Sequence, residues 1–118
     1  MNEYQEGLKQ KMNTLAHGVY RATKNFPKEE QYGMTSQINR ASLSVVLNYI
    51  EGYARARNNS RHYFLDVSYG SLQETKYLLH FTYVEKLLSE EEYKKMFTLA
   101  DGIGAMLWKE IQNIKEHG

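Results

Sequence analysis

The side chains able to do chemistry are four histidines, fourteen carboxylates and fifteen lysines and arginines, with no cysteine among 118 residues. Without a thiol there is no disulfide scaffold, no thiolate metal site and no cysteine nucleophile. His17, His62, His80 and His117 form no i,i+4 pair that could hold a metal on one helix face. A di-iron bundle needs Glu-x-x-His on two of its helices. Here Glu51 is followed at that spacing by Ala54, Glu74 by Tyr77 and Glu110 by Asn113. Ser71 follows Gly70, but no strand precedes it to make a nucleophile elbow, and a mid-helix serine normally bonds to its own preceding turn. Gly102-Ile103-Gly104 lacks the third glycine and the strand-turn-helix setting of a phosphate loop. No catalytic residue, metal or cofactor is expected, and the chain is expected not to be an enzyme.

One cluster does suggest binding. Arg55, Arg57, Arg61 and His62 fall in the run RARNNSRH, which contains no acid, and Lys115 should lie at the same end of the fold. Such a cluster can hold phosphates, with Tyr63 beside it for base stacking. The same residues also suit a solvated helix-loop-helix tip, with Arg55 and Arg57 complementing a helix C-terminus. The formal charge of +1 neither demands nor excludes a polyanion, so a nucleic-acid surface must come from clustering.

These residues are carried by an all-α chain. A single proline leaves few helix breakers. Leu8, Met12, Leu15, Ala16, Val19, Tyr20 and Thr23 repeat at three and four, which predicts a helix from about Glu3 to Asn25. Phe26-Pro27 ends it, because the residue before proline is pushed out of the helical region. A second helix is expected from Thr35, its N-cap, to about Arg57. A third follows the Asn58-Asn59-Ser60 connection, from Arg61 to Leu88. Ser89 with Glu92 forms a capping box for a fourth, from Glu90 to about Lys115. Gly102 and Gly104 could interrupt it. Rods of roughly 23 to 28 residues, at ~1.5 Å each, are ~35–42 Å long. Short connections make them an up-down-up-down antiparallel four-helix bundle in a single domain.

The second helix is apolar on two sides. Ile38, Ala41, Val45, Tyr49 and Gly52 mark one stripe, and Leu43, Val46, Leu47, Ile50 and Ala54 the other. A surface helix needs one stripe, so the second implies cover by another subunit. Leu43, Val46, Leu47 and Ile50, with Tyr69 and Tyr83 of the third helix, are the expected oligomer interface. Folding back on the Asn58-Asn59 turn sets Ala41, Ser42 and Ser44 against Gly70, Ser71 and Thr75. That register brings Arg40 within reach of Glu74, Asn48 within reach of Ser68 or Ser71, and Glu51 level with Asp66. Arg40, Asn48, Glu51, Ser71 and Glu74 thus make a structural polar seam, of the kind that fixes register more than it adds stability.

The run Phe26-Pro27-Lys28-Glu29-Glu30-Gln31-Tyr32-Gly33-Met34, then Gln37-Ile38-Asn39-Arg40-Ala41, Asn48-Tyr49-Ile50-Glu51-Gly52 and Gly70-Ser71 with Glu74, resembles the signature of the four helix bundle protein family. Members of that family are encoded in intervening sequences of bacterial 23S ribosomal RNA genes and elsewhere. Asn39 stands where the family usually has arginine, Val46-Leu47 where it has proline-alanine, and Tyr49-Ile50 where it has isoleucine-alanine. The lost arginine removes a charge from any RNA-facing surface. The resemblance implies a ring-like homo-oligomer, a pentamer, and kinship with the accessory proteins of diversity-generating retroelements. Those look like basic barrels that bind nucleic acid and a reverse transcriptase.

The expected function is therefore a non-enzymatic homo-oligomer that binds structured RNA or a ribonucleoprotein partner, ribosomal or reverse-transcriptase-like. A protein-binding adaptor is the alternative. MNEYQEGLKQK has no apolar run for a secretory signal, and no stretch approaches the ~18–20 apolar residues of a membrane span, so a cytoplasmic protein is expected.

Overall fold

The computed structural model describes residues 1–117, and the side chains up to Lys115. The described residues form four helices: α1 (Glu3–Thr23), α2 (Met34–Ala54), α3 (Asn58–Val84) and α4 (Glu90–His117), with a 3-10 turn at Lys28–Glu30. Each helix packs against its sequence neighbours and α4 closes on α1. Among the described residues the diagonal pairs, α1 with α3 and α2 with α4, keep their backbones apart across the core. This is the square section of a four-helix bundle, drawn out to 46 × 24 × 19 Å. None of the described helices is long and apolar enough to cross a membrane.

The core comes from one stripe of each helix. Leu8, Met12, Leu15 and Val19 of α1 meet Ile38, Val45 and Tyr49 of α2, Leu65, Leu72 and Leu79 of α3, and Ile103 and Leu107 of α4, all at most 1% exposed. Hydroxyls on the buried faces are satisfied locally. Thr75 donates to the Ser71 carbonyl at 2.8 Å and Thr82 to Leu78 at 2.9 Å, while Ser68 crosses the seam to donate to the Val45 carbonyl at 2.6 Å. Tyr20 was expected on the α1 stripe but is 55% exposed, and α3 buries Leu65, Ser68 and Leu72.

The helix ends differ from expectation for local reasons. Asn2 and Gln5 form a capping box at the start of α1 that the periodicity did not reveal. Gly33, not Thr35, precedes α2; the Glu30 carboxylate, one turn back, accepts from the Met34 N–H. The α2–α3 turn is Arg55-Ala56-Arg57, because Arg55 and Arg57 are both extended (ψ 138°), and Asn58-Asn59-Ser60 becomes the first turn of α3. No side chain caps that turn. α3 stops at Val84, not Leu88. Lys86 takes φ 63°, and the Leu87 N–H donates to the Thr82 carbonyl at 2.8 Å, closing a Schellman motif without glycine. Ser89 and Glu92 make the expected cap of α4. α4 runs unbroken through Gly102 and Gly104: a Cβ on Gly104 would lie 3.4 Å from Leu72, and one on Gly102 would meet nothing within 4 Å.

Candidate functional site

The densest polar chemistry lies at the end of the bundle where α2 passes into α3. Glu110 of α4 is only 6% exposed. The Tyr49 hydroxyl donates to one of its oxygens at 2.6 Å and the Tyr53 hydroxyl to the other. Burial pushes the Glu110 carboxyl above the ordinary carboxylate range, although both tyrosines and the nearby Arg61 pull it back. Burial and the same carboxylate raise both tyrosines well above the usual phenol range. Tyr4 is raised likewise, and its hydroxyl donates to the Met106 carbonyl at 2.9 Å, tying α1 to α4. Two phenols donating to one buried acid satisfy its two oxygens and hold α2 to α4. No sequence motif announced this cluster. The signal was there: Glu110 falls on the apolar stripe of α4, between Leu107 and Ile114.

The arginines around it have distinct surroundings. Arg61 lies over the Tyr53 ring, 4.7 Å from its centroid, and donates to the Gly52 carbonyl at 3.3 Å and the Arg55 carbonyl at 2.9 Å. It therefore satisfies the open end of α2. Arg55 pairs with Glu51 and covers the Phe64 ring at 4.8 Å. Arg57 is exposed at the turn, with no side-chain partner among the described residues. His62 places Nδ1 3.4 Å from Asp66, while its Nε2 is buried without a partner. Lys115 shares a small cleft of about 200 Å³ with Asn58, Asn59 and His62, at the same end as the arginines. Among the described residues no three histidines or carboxylates converge as metal ligands.

The family model of the 23S rRNA-intervening sequence protein matches residues 7–109. The chain belongs to that family. Five chains of solved structures match it. One is a protein of unknown function from the S23 ribosomal protein family of Bacteroides thetaiotaomicron. It superposes with a TM-score of 0.85 at 20% identity, over 92% of this chain and 98% of that one. At that identity the likeness shows the shared fold. No curated protein matches the sequence.

The polar seam is built differently from the expected pairing. Asn48 donates to the Ser44 carbonyl and hydroxyl, both at 2.9 Å, and Ser44 meets the Ser71 hydroxyl at 2.7 Å. Ser44 is the link between Asn48 and Ser71, because it stands one helical turn before Asn48 on the same face. Glu51 turns to Arg55, not toward Asp66. Arg40 and Glu74 do not pair; both are exposed beside Ser44 and Ser71, lining an open cleft of about 430 Å³. Of the expected interface residues, Leu43, Leu47 and Ile50 are exposed at 47, 58 and 44%. Val46 is not with them: at 4% exposed it belongs to the chain's own core, one residue round the helix from that stripe. Tyr69 and Tyr83 are half-buried against α4, Tyr69 tilted on Trp108 and Tyr83 stacked on Tyr93 with centroids 4.6 Å apart.

Proposed function

We propose that this 23S rRNA-intervening sequence protein is a non-enzymatic homo-oligomer, a pentameric ring in the cytoplasm, that binds structured RNA. The observation that carries the reading is the outer face of α2. Leu43, Leu47 and Ile50 form an exposed apolar line that ends at the acid-poor turn of Arg55 and Arg57. Copies joined along that line would gather their turns at one rim and add their potentials, so a chain of formal charge +1 would present a local cationic surface. The unpaired Arg40 and Glu74 beside the line offer complementary charges to a neighbouring copy.

Light scattering tests the assembly and a salt-titrated RNA binding assay tests the ligand. Binding should weaken steeply with salt, and Arg57→Ala should flatten the log–log slope by about 0.7–0.9 for each phosphate it no longer neutralises. Arg55→Ala should act less, because Glu51 already compensates it, and Arg61→Ala should chiefly lower stability. An assembly that shows no RNA binding at low salt would instead favour a protein-binding adaptor, with the apolar line serving another chain.

A further inference from the structure

A second feature shares the arginine-bearing end. A cleft of about 510 Å³ opens between the start of α1, the end of α2, the start of α3 and the last turns of α4. Its volume lies within the range of small-molecule sites. The Glu110 carboxylate borders it, but both of its oxygens already accept from tyrosine hydroxyls. Tyr4 supplies aromatic surface, while the Tyr53 ring beside it is covered by the Arg61 guanidinium. Asn58 and Asn113 line the cleft with carboxamides, and Lys109 and Arg61 line it with cations. Among the described residues the side chains of Asn58, Lys109 and Asn113 have no hydrogen-bond or ion-pair partner. The ligand that satisfies all of these is flat, carries a donor–acceptor edge and ends in an anion.

We propose that this cleft binds one nucleoside monophosphate unit, its base against Tyr4 with an edge on Asn58 or Asn113, and its phosphate on Lys109 beside Arg61. Asparagine pairs bidentately with base edges, and unstacked bases settle on aromatic rings. An apolar occupant would leave Asn58, Asn113 and Lys109 without partners, and an anion alone would not use the Tyr4 ring. The unit can come from an unpaired nucleotide of RNA or from a free mononucleotide. The choice of RNA as source rests on the function proposed above; the cleft itself does not. Glu110 and Asn113 lie beyond the family match and Tyr4 before it, while Tyr53, Asn58, Arg61 and Lys109 fall within it.

The test is calorimetric titration of the full chain with AMP, GMP, CMP and UMP, with ribose 5-phosphate and inorganic phosphate as controls. At least one mononucleotide should saturate one site per chain, about tenfold or more tighter than ribose 5-phosphate. Asn113→Ala and Lys109→Ala, both at exposed positions, should each weaken it about tenfold without moving Tm. Saturation by no mononucleotide, equal binding of phosphate alone, or indifference to both substitutions would each overturn the proposal. A hairpin RNA with an unpaired 3′ nucleotide should displace the mononucleotide where its blunt counterpart does not. Mononucleotide binding with no displacement by either RNA would uphold the cleft as a free-nucleotide site and count against the RNA source. Loss of RNA binding in Arg57→Ala with mononucleotide binding intact would separate the rim from the cleft.

Discussion

The molecule holds two polar clusters that differ in how completely the chain satisfies them. At the arginine-bearing end, Glu110 and Tyr49 are buried beside the half-buried Tyr53, and both carboxylate oxygens accept from phenols of another helix. In the α2–α3 seam, Ser44, Asn48 and Ser71 join hands, but Arg40 and Glu74 beside them stay exposed and unpaired with each other. A buried group without a partner costs more than a made bond adds, so a closed cluster works as internal structure. An open one can be completed from outside at little cost to the monomer. The Glu110 cluster therefore bears on folding, and in the proposed assembly the seam with its neighbouring apolar line would bear on association.

Breaking the closed cluster should have the largest effect. Glu110→Ala strands two phenol hydroxyls and opens a void, and should remove about 3 kcal/mol of unfolding free energy in denaturant titration. Asn48→Ala, in the open seam, should remove about 1 kcal/mol. Equal losses would erase the distinction. The acid also sets a pH dependence. Its folded-state pKa is raised, so its contribution is fully present below the unfolded carboxylate value and is lost as pH rises through the folded value. Glu110→Gln mimics the neutral acid. It should match the parent at low pH, gain on it as pH rises from the unfolded carboxylate value to the raised folded value, and hold a constant difference above that. An unchanged difference across the whole range would mean that Glu110 titrates normally.

Next in size is the close approach at Gly52. A Cβ there would sit 2.5 Å from Leu65 Cδ1, and Leu65 is fully buried, so its side chain must shift against packed neighbours. Gly52→Ala should cost about 1–3 kcal/mol by overpacking, more than the ~1 kcal/mol gained from helix propensity. Gly102→Ala meets nothing within 4 Å and should gain up to about 1 kcal/mol. Paired denaturation curves would test both signs at once.

How much of this was legible in the sequence depended on whether a signal was periodic or three-dimensional. The number of helices and the inward stripe of α2 followed from apolar spacing, and the antiparallel order from the short connections between long helices. The turn at Arg55-Ala56-Arg57 was misplaced onto Asn58-Asn59-Ser60, because polar residues suit a first helical turn as well as a loop. Val46 was misassigned because two stripes on one helix meet at their edges, and one residue of rotation moves a side chain from interface to core. Glu110 escaped notice because its partners, Tyr49 and Tyr53, come from a helix more than fifty residues earlier. A lone acid on an apolar stripe marks the need for a donor without saying which helix provides it.

The smallest expected effect on stability belongs to the open side, and its value lies in that smallness. Leu47 is 58% exposed and sits between Leu43 and Ile50 on the outer line of α2. Leu47→Glu removes little burial from a single chain, so its helicity and melting temperature at dilute concentration should stay within ~0.5 kcal/mol of the parent. In an assembly the same carboxylate would be buried without a partner at every copy of the interface, at a cost of several kcal/mol each. The expected outcome is a monomer by light scattering with an unchanged circular dichroism spectrum. Loss of helicity would place this face in the monomer core. An unchanged particle size would mean that copies meet elsewhere, the exposed Trp108 and Tyr77 being the next surfaces to substitute.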